Sequence, residues 1–133
     1  MIEIRDDKKI IELAQKYNIK MLLLFGSRAD KSFKKGSDFD VAYIAEFGLN
    51  LDEEISLSFD LSQIFKSEDI DLVNLKKASP LTLKQIAENS LILYQKNVSI
   101  FNEFFIHVMR IYSEAKILFK MREEYLNKKI ASY

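Results

Sequence analysis

The sequence predicts an α/β (α+β) domain in which a small mixed sheet of about four strands is flanked by helices. Three observations predict it. Segments with helical spacing alternate with short apolar runs along the chain, the pattern of a layered helix-and-sheet core. The apolar run Met21 to Phe25 is short and closed by a glycine, which favours a buried strand over a helix. The last quarter of the chain, from Ser99 onward, reads as one continuous amphipathic helix.

Asp6 or Asp7 can cap a first helix, in which Ile10, Leu13, Ala14 and Tyr17 recur on one face, and Asn18 is a left-handed stop. Met21 to Phe25 is an apolar run closed by Gly26-Ser27, which favours a buried strand. A polar, basic segment follows, with Arg28, Lys31, Lys34 and Lys35, and then a second strand through Asp38 to Ile44. The stretch 55–62 alternates like a strand. However, Leu57, Leu61, Ile64 and Phe65 also share a helical face, and Asp52-Glu53-Glu54 suits a helix start, so helix is the preferred reading. Ile70 to Leu75 is a third strand. Ser79-Pro80 reads as N-cap and first residue of a helix to about Glu88, and Leu91 to Tyr94 as a fourth strand. From Ser99 onward, Phe101, Phe104, Phe105, Val108, Ile111, Tyr112, Ala115, Leu118 and Phe119 recur at helical spacing. That apolar face is wider than a terminal helix on a small domain needs, and the excess marks a partner surface. His107 reads as a surface or packing residue of this helix.

A chain of 133 residues fits one core. Twenty basic residues balance twenty acidic ones, so no net field draws the molecule to nucleic acid or membrane, and no direct nucleic-acid contact is expected. No cysteine is present, which excludes disulfides and thiolate metal sites and suits a cytoplasmic location. The run MIEIRDDKKIIEL is charged and lacks the apolar core of a signal peptide. No stretch approaches a membrane span.

Chemistry concentrates in Gly26-Ser27-Arg28-Ala29, Ser37-Asp38-Phe39-Asp40 and Asp71. On a strand, residues i and i+2 project from one face, so Asp38 and Asp40 lie side by side. Paired carboxylates repel unless a cation or proton joins them, and hard divalent ions take such oxygen ligands together with substrate phosphates. Asp71, heading an apolar run, is the favoured third carboxylate, which would allow two metals; Asp69 shares its face by alternation. Gly26 lets the backbone approach a ligand closely, Ser27 adds a donor, and Arg28 with the nearby lysines can neutralise phosphate charge.

The run Gly26-Ser27-Arg28-Ala29 … Ser37-Asp38-Phe39-Asp40-Val41 resembles the GS-x(10)-DxD signature of the nucleotidyltransferase superfamily related to DNA polymerase β. Size and layout are similar to the minimal nucleotidyltransferases that act as antitoxins to HEPN-domain toxins. The resemblance implies the polymerase β-like fold, with residues 1–133 a single nucleotidyltransferase domain and 99–130 its C-terminal helical segment. It implies Asp38, Asp40 and Asp71 as catalytic metal ligands for Mg²⁺, with two ions. Gly26 and Ser27, with Arg28 beside them, would hold the triphosphate of ATP. It implies transfer of AMP to a hydroxyl, a tyrosine's, of a HEPN RNase toxin that docks through the C-terminal helix. A wide apolar helix serves a homodimer as well as a hetero-oligomer with such a toxin. Family members commonly read GSRARG, whereas Asp30 and Lys31 stand at the last two positions here. Two alternatives follow: an antitoxin that inhibits by binding alone, or a small-molecule nucleotidyltransferase.

Overall fold

The computed structural model describes residues 8–26 and 39–132. Helix α1 (Lys8–Lys16) ends at Asn18, whose φ of 53° is the left-handed conformation that asparagine tolerates better than most residues. Strand β1 (Ile19–Phe25) follows at once. It begins two residues before the apolar run suggests, because Ile19 is buried and the Lys20 carbonyl accepts from the Lys96 amide at 2.8 Å. Strand β2 (Phe39–Ala45) leads to helix α2 (Leu51–Phe65). Strand β3 (Ile70–Asn74), helix α3 (Pro80–Glu88) and strand β4 (Ser90–Gln95) come next, and helix α4 (Ile100–Ala131) closes the chain.

The sheet order is β3-β2-β1-β4. β1 runs antiparallel to β2 and β4, while β2 and β3 are parallel, as the α2 crossover requires. The end of β1 therefore meets the beginnings of β2, β3 and β4.

Each face of the sheet has its own core. Leu22, Leu24, Val41 and Tyr43 pack against Ile10, Leu13 and Ala14 of α1 and Leu57 and Leu61 of α2. On the other face Met21, Leu23 and Ala42 meet Leu83, Ile86 and Ala87 of α3 and Phe104 and Val108 of α4. β1 is buried on both faces, which is why it reads as a continuous apolar run.

Segment 55–62 is helical, and its strand-like alternation has a structural origin. Leu57 and Leu61 are fully buried while Ile55 and Phe59 are 59% and 62% exposed, so both faces of α2 carry large apolar residues. The helix start is fixed by a capping box. Asn50 Oδ1 accepts from the Glu53 amide at 2.8 Å, and Glu53 Oε1 accepts from the Asn50 amide at 3.2 Å. Ser79 caps α3 through the Thr82 amide at 3.3 Å, with Pro80 at the first position.

Two buried phenols tie the helices down. Tyr17 O–H donates to Asp60 at 2.6 Å and lies 2.7 Å from Ser56 Oγ, joining the end of α1 to α2. Tyr43 O–H donates to Glu54 at 2.8 Å, joining β2 to α2.

Helix α4 packs unevenly. Phe104 and Val108 are buried, but every residue from 116 to 132 is exposed, including Leu118, Phe119, Tyr125, Leu126 and Ile130. The Lys84 ammonium sits 4.9 Å from the Tyr112 ring centroid and fastens α3 to α4 at the last well-packed turn. His107 is exposed, as expected of a helix-surface residue. No helix among the described residues is long and apolar enough to cross a membrane.

Candidate active site

The sheet register sets the site. Asp40 is the Cα partner of Asp71 across the parallel β2–β3 pair, and of Phe25 across the antiparallel β1–β2 pair. Residues directly opposite each other in a sheet project from the same face. Asp40 and Asp71 thus stand about 4.8 Å apart in backbone, one strand spacing, on the face covered by α3 and α4. Asp71 is exposed and Asp40 is half-buried. Asp69, the other acidic residue that shares this face by alternation, precedes β3. Its carbonyl accepts from the Phe39 amide at 2.8 Å, and its own amide donates to Ser67 Oγ at 3.2 Å.

Gly26 ends β1 with φ +75°, a conformation that favours glycine. A Cβ built there would overlap Asp40 Oδ2 and lie 3.1 Å from its Cγ. The glycine read in the sequence as an approach point for ligand is therefore also the space into which the Asp40 carboxylate fits.

The head of β2 is held from below. The Phe39 ring stacks on Phe65 of α2, with centroids 4.6 Å apart and planes 10° from parallel. Because strand neighbours point to opposite faces, anchoring Phe39 in one core directs Asp40 toward the other face. Of the remaining residues expected at the site, Ser27, Arg28 and Asp38, with Lys31, Lys34 and Lys35, lie outside the described residues.

One neighbour escapes sequence reading. Ser90, at the head of β4, is the Cα partner of Phe25. Asp71, Asp40, Phe25 and Ser90 consequently form one lateral row across all four strands. The Ser90 hydroxyl is buried without a hydrogen-bond partner among the described residues. Only the sheet order, not any local motif, could have revealed it.

The sheet topology, with a glycine-ended strand beside aspartate-headed strands, is that of a nucleotidyltransferase. Residues 8–99 match the family described as Polymerase beta, Nucleotidyltransferase, and the chain belongs to it. A relative from Aphanizomenon flos-aquae (strain 2012/KM1/D3), the protein adenylyltransferase MntA, is 31% identical over 115 residues, covering 80% of this chain and 77% of the relative. Among solved structures, a toxin–antitoxin with AMP-PNP matches with a TM-score of 0.71 at 24% identity, covering 94% of this chain and 98% of that one. A tri-AMPylated Shewanella oneidensis HEPN toxin in complex with an MNT antitoxin matches with a TM-score of 0.64 at 23% identity, over 92% and 93% of the two chains. These structural likenesses agree on the fold.

Proposed function

We propose that this chain is an antitoxin that transfers AMP from ATP to a tyrosine hydroxyl of a cognate HEPN-domain RNase toxin and so silences it. The reading rests on family membership, on the likeness to a protein adenylyltransferase, and above all on the opposition of Asp40 and Asp71 beside the glycine end of β1.

Two adjacent carboxylates supply the hard oxygen donors that Mg²⁺ takes, so Asp40 and Asp71 fit this ion as ligands, and Asp38 would join them as the family resemblance implies. When bound, Mg²⁺ neutralises triphosphate charge and that developing on the transferred phosphoryl group. The protein's own part is positioning. Gly26 and Ser27, with Arg28 beside them, hold the phosphate tail. Asp71, on the outer strand, receives the proton of the acceptor hydroxyl. The acceptor oxygen bonds to the α-phosphorus as the bond to pyrophosphate breaks.

The toxin docks along α4. Its exposed residues Phe119, Leu126 and Ile130 continue the apolar groove that Pro80, Leu81, Tyr112 and Ala115 form where α3 meets α4, and exposed apolar surface of this extent is typical of a partner site. The whole of 1–133 acts as one nucleotidyltransferase domain carrying this arm, in the cytoplasm beside its toxin.

The test is to mix this chain with the product of the neighbouring reading frame, ATP and Mg²⁺, and record intact masses. The reading expects one or more AMP units on the partner, absent with Asp38→Asn/Asp40→Asn. A stable complex that gains no mass from any nucleoside triphosphate would replace it with inhibition by binding alone.

A further inference from the structure

We infer that Ser90 is a ligand for the terminal phosphates of the bound nucleoside triphosphate; the inference rests on the nucleotidyltransferase reading above. Ser90 Oγ is the buried side-chain oxygen that lacks a hydrogen-bond partner among the described residues. A hydroxyl so placed is costly to leave unpaired, and in a native structure such an atom calls for an explanation, a bound water, ion or ligand among them.

The register says which partner. Ser90 shares one row and one face with Phe25, Asp40 and Asp71. Phosphoryl-type transfer keeps attacking and leaving oxygens roughly in line. With the acceptor on the β3 side at Asp71 and the α-phosphorus at Asp40, the leaving pyrophosphate must extend the opposite way, over β1 toward β4. Ser90 lies in that direction, roughly 10 Å from Asp40 in backbone, two strand spacings. A triphosphate tail spans about that distance once a hydrogen bond near 2.8 Å is added at its end. The nucleoside, attached to the α-phosphate, leaves this line and does not reach β4.

A contact with the tail requires the hydroxyl to turn out of its buried position. Ser90 as a residue is only partly buried, and among the described residues no hydrogen bond holds its present rotamer. Reaching a phosphate oxygen requires one rotation between staggered positions about Cα–Cβ. Donation from there to a phosphate oxygen is a charge-assisted hydrogen bond, stronger than one between neutral groups.

The experiment compares wild type, Ser90→Ala and Ser90→Thr by calorimetric binding of ATP, inorganic tripolyphosphate and AMP, each with Mg²⁺, and by thermal unfolding without ligand. Ser90→Ala is expected to weaken ATP and tripolyphosphate about tenfold or more, to leave AMP unchanged, and to unfold no earlier than wild type. Ser90→Thr, which keeps the hydroxyl, restores the affinity. Unchanged ATP affinity in Ser90→Ala overturns the inference, as does equal weakening of AMP, which would put the contact on the nucleoside. Earlier unfolding of Ser90→Ala with unaltered affinities would make the hydroxyl a structural group bound to internal water, and also overturns it. Failure of wild type to bind any of the three removes the nucleotidyltransferase reading itself, and this inference with it.

Discussion

The carboxylate of Asp40 lies where a side chain on residue 26 would have to go. Gly26 is constrained twice, by its positive φ and by this contact. Gly26→Ala should lower stability by about 1–2 kcal/mol from the left-handed backbone alone, measurable by urea unfolding. It should also depress adenylyl transfer more than that loss of fold explains, because Asp40 must move. A variant with reduced stability but an undiminished rate would show that Asp40 need not lie against the turn.

The two acidic residues at the start of β3 make opposite predictions. Asp71→Asn should cut transfer by about a hundredfold or more, on the scale of removing one transition-state stabilising group. Asp69→Asn should leave it close to wild type, since the Asp69 contacts the structure records are made by its backbone. Intact-mass time courses on the partner decide between them, and the reverse order would transfer the third-ligand role to Asp69.

Burial, and then the hydrogen bond to Glu54, hold the Tyr43 phenol well above the ordinary tyrosine value of 10.0. A phenol whose pKa is raised on folding contributes stability in full below its unfolded value and loses it as pH climbs through the folded one. Tyr43→Phe should therefore be less stable than wild type at neutral pH, by about 1 kcal/mol for a hydrogen bond that leaves Glu54 unpaired. The difference should shrink above pH ~10. Denaturant midpoints of both proteins between pH 7 and 11 check it; a gap that widens with pH would contradict the assignment. Tyr17, also raised, chiefly by burial, titrates in both proteins and cancels.

Phe119→Glu with Leu126→Glu changes two exposed residues of α4, 75% and 45% accessible. Surface substitutions of this kind usually alter stability by less than about 0.5 kcal/mol. The fold should survive, as read by circular dichroism, while co-purification with the proposed toxin partner fails. A complex that forms normally would move docking off this helix.

Local signals carried most of the elements. Asn18 stops α1, Ser79-Pro80 opens α3, and the apolar run of β1 lies in the middle of the sheet. Segment 55–62 was ambiguous for a physical reason: a helix with large apolar residues on both faces imitates the period of a strand. Register was not legible at all. That Asp40 faces Asp71 and that Phe25 faces Ser90 depends on pairings distant in sequence, so Ser90 carried no mark as a candidate. The Phe39–Phe65 stack that directs Asp40 is equally invisible, since Phe39 is the unspecified middle residue between Asp38 and Asp40 and Phe65 belongs to no motif.

Helix α4 runs for 32 residues, roughly 48 Å at 1.5 Å per residue, yet its buried anchors, Phe104 and Val108, lie in its first three turns. Its distal half is a lever that costs the fold almost nothing to alter. On the proposed docking along α4, amino-acid changes there would redirect the molecule to a different partner while the sheet, its two cores and the aspartates stay as they are. Recognition and chemistry would then be separable within one short chain, the first carried by the exposed half of α4 and the second by the sheet.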